Sequence, residues 1–171
     1  MAGIVLTDAS PLIVLSRIGG LHWIKAIFGP VYLPLAVRKE VLTGKDTAGE
    51  PLIREAIKRK ALVVLRKDWK LPQFPFLGEG EAACIRAAVN LRPSGPSLLL
   101  MDDRAGRATA MEQGFKVAGT AAVIAMAKKQ KLIPSAADVF ERLLQMDFRL
   151  SAEVIRAALE AAGEPQGRMS P

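Results

Sequence analysis

Two kinds of apolar pattern alternate along the chain. Some stretches are short and continuous: the Ile4, Val5, Leu6 run within residues 3–8, Val31 to Leu33, LVVLRK at 62–67, and SLLLMDD at 97–103. Continuous Val/Ile/Leu runs of this length suit strands covered on both faces, as in a parallel sheet. Other stretches repeat at helical spacing. Ile13, Leu15, Ile18 and Leu21 follow Ser10, an expected N-cap, and Pro11, an expected first helical residue. Gly19-Gly20 interrupts that pattern. Pro34 opens LPLAVRKEVLTG, which Gly44 closes. EPLIREAIKRK, LGEGEAACIRAAVNL and RAGRATAMEQG read as helices, the second favoured by its alanines. KVAG is a brief strand, Thr120 caps TAAVIAMAKKQKL, and PSAADVFERLLQ and SAEVIRAALEAAG are two more helices.

Strands alternating with helices predict an α/β fold: three α/β/α layers around a central parallel sheet of four to five strands, with extra C-terminal helices. The 171 residues suit one domain with a sizeable core. We expect that domain over 1–150, then a C-terminal helix and a disordered Gly/Pro/Ser tail over 151–171. The apolar residues of the helices near 119–130 and 134–146 (Val123, Ile124, Met126, Val139, Phe140, Leu143, Leu144, Met146) exceed what a small sheet covers. They either close a core face or leave a patch for self-association.

Composition narrows the setting. Half the residues are apolar and about a quarter charged, a globular balance. Cys84 is the single cysteine, so no internal disulfide forms. The N-terminus lacks a basic region and carries Asp8, no run spans a bilayer, and a cytoplasmic location follows as the expectation. The net charge of +7 is concentrated: residues 54–70 hold seven cations against Glu55 and Asp68. Such a segment is either a solvated helix face or a polyanion contact, with Lys58, Arg59 and Lys60 at its centre.

Parallel sheets bind ligands outside the carboxyl ends of their strands. Asp8 ends the first strand, and Asp102 and Asp103 end SLLLM. Glu40 lies on the helix after the second strand, and Glu79 and Glu81 start the alanine-rich helix. Each has a plain alternative role: Glu79 or Glu81 can serve the helix dipole, Glu40 can be a surface charge, and Asp102 and Asp103 can be helix-start acids. Jointly, carboxylates in one cleft repel each other unless a cation neutralises them, and oxygen donors suit Mg²⁺ or Mn²⁺. His22 is the only histidine, which argues against zinc hydrolases and His-based triads. No G-x-S-x-G elbow, Walker loop or G-x-G-x-x-G is present.

VLTDASPLIVL, the VxxEV of Val37 to Val41, LGEGEAACI, LLLMDDRAGR and GTAAVI, in this order from about residue 4 to 150, resemble the PIN-domain nucleases. The closest likeness is to the prokaryotic subgroup related to toxins of type II toxin–antitoxin pairs. The resemblance implies metal-dependent hydrolysis of RNA phosphodiesters with Asp8, Glu40, Glu81 and Asp103 as catalytic acids. Asp8, Glu81 and Asp103 would be metal ligands for Mg²⁺ or Mn²⁺. Ser10, Asp102 and Thr120 would support them, and Lys58, Arg59, Lys60 and Arg104 would contact nucleic acid. It further implies a homodimer and a small antitoxin protein entering the cleft. One rival reading is a binding or regulatory module with little intrinsic nuclease activity. Another is a phosphatase-like enzyme with Asp8 as nucleophile, disfavoured because Ser10 replaces the usual second aspartate.

Overall fold

The computed structural model describes residues 3–45 and 47–164. Five parallel strands form one sheet in the order β3-β2-β1-β4-β5: β1 (Ile4–Thr7), β2 (Val31–Leu33), β3 (Leu62–Val64), β4 (Pro96–Leu100) and β5 (Val117–Ala118). The chain winds from β1 outward through β2 to β3. It then returns across β1 to β4 and β5, so the strand order reverses between β1 and β4. Right-handed crossovers in these opposite directions place the connecting helices on opposite faces. One layer holds α1 (Ala9–Arg17), α2 (Leu21–Phe28) and α4 (Glu50–Lys58), and the other α5 (Glu79–Asn90) and α6 (Arg104–Glu112). α3 (Leu35–Val41) packs on both α1 and α5. The expected three-layer α/β/α architecture is therefore present.

Strand alternation divides the core. Leu6 and Leu99 face each other in register and join Ala82, Ile85, Ala88, Met101 and Ala110 in the α5/α6 layer. The intervening Val5 and Leu100, also buried, belong to the opposite face by the period of two. Alanines on α5 let that helix lie close to the sheet.

Residues 3–119 form one compact unit, and a second runs from Thr120 through the described chain. The second contains α7 (Thr120–Lys129), α8 (Ala136–Gln145) and α9 (Ala152–Ala162). Ser135 and Ser151 cap α8 and α9 by accepting from Asp138 N and Val154 N. The Glu164 carboxylate accepts from Ala136 N and Ala137 N at the start of α8. Val123, Ile124, Val139, Phe140 and Leu143 are buried, while Leu144 and Met146 are exposed, so most of the suspected patch is internal core. The expected disordered tail, 165–171, lies outside the described residues.

Several boundaries differ from expectation. Asp8, not Ser10, caps α1, because its carboxylate accepts from Ala9 N at 2.6 Å and draws the helix start back to Ala9. Pro11 then occupies the first turn, where its missing N–H costs no helical bond. α3 ends at Val41, and Gly44 takes a left-handed turn beyond it. Buried Glu50 secures that turn by accepting from Thr43 N at 2.9 Å and Gly44 N at 3.2 Å. β3 stops at Val64 rather than Lys67.

Leu99, fully buried in the central strand, tests the core. Leu99→Ala should destabilise the chain by about 2–5 kcal/mol. Urea denaturation should show this as a lower midpoint with an unchanged slope.

Candidate functional site

β1 and β4 are parallel neighbours, so their carboxyl ends open on the same sheet edge. Asp8 N donates to Leu100 O at 2.9 Å, which carries the pairing past Thr7 and fixes Asp8 beside β4. The Asp8 side chain is buried. Its Oδ1 accepts from Ala9 N, but its Oδ2 is buried with no hydrogen-bond partner. Burial pushes the Asp8 carboxyl up to about 7; the bond from Ala9 opposes this, and the charges of Glu81, Glu40 and Asp102 add to it. Those three acids are therefore the electrostatic neighbours of Asp8.

Glycines let the carboxylates approach backbone. A Cβ on Gly80 would stand 2.8 Å from both carboxylate oxygens of Glu40, whose side chain bonds the Gly80 N–H. Burial, then the charges of Glu81 and Glu79, raise the Glu40 carboxyl above its usual range against that bond. A Cβ on Gly78 would strike the Glu81 carboxylate, and one on Gly106 would meet the Glu81 Cγ at 3.3 Å. Glu81 thus lies between the start of α5 and the first turn of α6. One turn further along α5, burial and then the Asp8 charge push the Cys84 thiol well up.

Asp102 and Asp103 separate. A Cβ on Gly119 would lie 2.8 Å from Asp102 Oδ1 and 2.9 Å from Arg107 Nη1. Arg107 Nη1 also donates to Met101 O at 3.0 Å. Asp102 therefore sits between the ends of β4 and β5, on the side of Asp8. Asp103 is exposed and is the N-cap of α6, accepting from Gly106 N at 2.8 Å. Of the two, Asp102 is the one whose charge acts on Asp8, whereas the expected ranking put Asp103 first. Glu79 is exposed and paired with Arg86, which is buried on α5.

Ser10 is half-buried in the first turn of α1, next to Asp8. Thr120 is buried and opens α7 in the second unit. Arg104 is exposed at the start of α6, on the acidic edge. Lys58, Arg59 and Lys60 precede β3 and so lie at the amino edge of the sheet, opposite the acids. The structure does not bring them to the cleft; Arg59 pairs with Glu55 at 2.7 Å. Arg66, Lys67 and Lys70, which follow β3, emerge on the acidic edge instead. Sequence reading passed over Arg107, Gly78, Gly80, Gly106 and Gly119. The only available signal was that all five stand in LGEGEA, DDRAGR and GTAAVI beside the acids.

Among the described residues, no three Asp, Glu, His or Cys side chains are already arranged to cage a metal ion. The donor set nevertheless fits a hard cation: oxygen ligands only, an unpartnered buried Oδ2 on Asp8, and mutual repulsion that a cation would relieve.

The raised Asp8 carboxyl sets a pH dependence. Below about pH 4 Asp8 is protonated both folded and unfolded. Between about 4 and 7 the folded chain holds the extra proton, so stability falls as pH rises. Above about 7 the penalty is complete, on the order of 4 kcal/mol at most. In chelator, Asp8→Asn should match wild type near pH 4 and exceed it in stability at pH 8. Parallel urea-stability curves across this range would contradict the burial of an ionised Asp8.

Among curated proteins no significant match to the chain is found. A family model described as PIN domain matches residues 4–164. That span runs from the start of β1 to Glu164, just after α9, and so takes in every helix and strand described above. The chain belongs to the PIN domain family, a nuclease-type fold.

Proposed function

We propose that the chain is a divalent-metal-dependent ribonuclease that hydrolyses phosphodiester bonds at the acidic edge of the sheet. The observation that carries this reading is Asp8: a buried carboxylate with one oxygen unpartnered, surrounded by the charges of Glu81, Glu40 and Asp102. Beyond the cap to Ala9 N, a fold gains nothing in stability from the ionised group, because burial and like charges both oppose it. The arrangement makes sense as a cation receptor.

Asp8, Glu81 and Asp102 would hold Mg²⁺ or Mn²⁺, with Glu40 at the rim on Gly80. The bound ion would polarise a phosphoryl oxygen and lower the pKa of an attacking water. The chain supplies the rest. Glu40, whose carboxyl is raised, is suited to exchanging a proton with that water. Arg104 and the cations that follow β3 neutralise phosphates on either side and set the strand's position without reading bases. Asp103 acts through α6 rather than on substrate: as N-cap it fixes the helix whose Gly106, lacking a Cβ, leaves room for Glu81.

The purified chain should cleave single-stranded RNA with Mn²⁺ and not in chelator. Asp8→Asn and Asp102→Asn should each lower cleavage by at least about 100-fold, beyond the loss typical of an outer partner. Asp103→Asn should leave cleavage nearly intact, since Asn is also a good N-cap. RNA bound but never cut would favour the rival binding module. Mn²⁺ at about 100 times its dissociation constant should also stabilise wild type by about 2.7 kcal/mol, and Asp8→Asn much less. The toxin role, homodimer and antitoxin partner are proposals that rest on the resemblance alone. A sedimentation run giving a clean 18.4 kDa monomer at high micromolar concentration would remove the dimer.

A further inference from the structure

The segment from Leu65 to Gly78 leaves β3 and enters α5, so it begins and ends on the acidic edge of the sheet. It is held firmly. Phe74 is buried, and Trp69 and Leu77 pack against the same core. Leu77 N donates to Phe74 O at 3.1 Å, and Asn90 Nδ2 on α5 donates to Leu71 O at 2.8 Å. Lys67 Nζ stands 5.4 Å from the Trp69 ring centroid. Between these anchors Phe76 faces solvent at 69% exposure, the most exposed of the large apolar side chains described.

Single exposed apolar side chains are ordinary on protein surfaces. Phe76 differs in its position and its neighbours. Two residues on, a Cβ at Gly78 would strike the Glu81 carboxylate. Two residues of extended chain span at most about 7 Å, so the Phe76 backbone lies within that distance of Gly78. The same segment carries Arg66, Lys67 and Lys70 against Asp68, which Lys70 pairs with, so it brings a net positive charge to the edge that bears the aromatic ring. Basic groups for the backbone and an exposed ring for a base are the two components of single-strand binding. A duplex keeps its base faces stacked inside, so an isolated ring on a positive loop suits an unpaired base.

We infer that Phe76 is a stacking platform for one unpaired base of a single-stranded RNA whose neighbouring phosphate lies at the acids. This rests on the proposed nuclease reading and adds to it a contact to one base at Phe76. Arg66 takes a phosphate on the outer side of the stacked nucleotide. The anchored backbone holds the position from which the ring projects before substrate arrives, so little backbone order is lost on binding.

The test measures fluorescence anisotropy in chelator, where nothing is cut. Wild type, Phe76→Ala and Phe76→Tyr are titrated against a labelled single-stranded RNA and against an abasic strand of equal length and charge. Phe76→Ala should weaken binding to the RNA about five- to 150-fold and leave the abasic strand unaffected, as expected for loss of one stacked base. Phe76→Tyr, which keeps the ring, should bind as wild type does. Equal binding of RNA by Phe76→Ala and wild type overturns the platform. So does an equal loss on both strands, which marks a structural role, and so does a wild type that binds neither strand. Cleavage with Mn²⁺ reports separately on catalysis. A wild type that never cuts, together with a base-dependent Phe76→Ala defect, removes the nuclease reading and keeps the platform.

Discussion

The parallel pairing of β1 with β4 is the constraint on which the site depends. Asp8 N bonded to Leu100 O continues that ladder just past the last strand residue. Because the two strands run the same way, both end on one edge, and each ends in an acid. Reversal of strand order at this pair opens a crevice between them, the place where such sheets take ligands. An antiparallel pair would have sent Asp8 and Asp102 to opposite edges. The core residues serve this register: Leu6 against Leu99, buried under α5, admits no slip of one residue without turning apolar side chains outward.

Holding charges together has a physical cost, and the fold meets it through backbone and glycine. Domains of this kind are stable by only about 5–15 kcal/mol, so a buried aspartate raised to about 7 takes a large share of that margin. Ala9 N–H offsets part of the penalty at Asp8, as Gly80 N–H does at Glu40. Gly78, Gly80, Gly106 and Gly119 each stand where a methyl group would collide with or crowd an acidic side chain. These glycines permit approach rather than turning the chain, since the positive-φ glycines are others. Arg107 adds a positive charge next to Asp102, while Arg86 engages Glu79 away from Asp8.

The basic stretch 54–70 is one run in sequence and two surfaces in space. β3 passes through it and carries its halves to opposite edges of the sheet. Lys58, Arg59 and Lys60 surround the end of α4 at the amino edge, whereas Arg66, Lys67 and Lys70 reach the acids. A charge count along the chain cannot distinguish these, because a strand of three residues is enough to change sides. The same short strand starts the anchored loop that ends at Gly78, so the acids, the basic residues and Phe76 share one edge.

Local chemistry by itself determined a good deal. Continuous apolar runs marked β1, β2 and β4, helical spacing marked the helices between, and their alternation implied a parallel sheet with acids at its strand ends. These are short-range properties, settled by period and propensity. Which of two neighbouring acids comes close to Asp8 was decided by tertiary structure. Asp102 and Asp103 are adjacent and chemically identical. Only the start of α6, which takes Asp103 as its cap, and the space above Gly119, which receives Asp102, distinguish them. Asp8 capping α1 in place of Ser10 has the same origin, since pairing to Leu100 fixes the chain direction at that junction. Sequence carries the supply of carboxylates; the distances between them, and the burial that gives them chemistry, exist only once distant segments have packed.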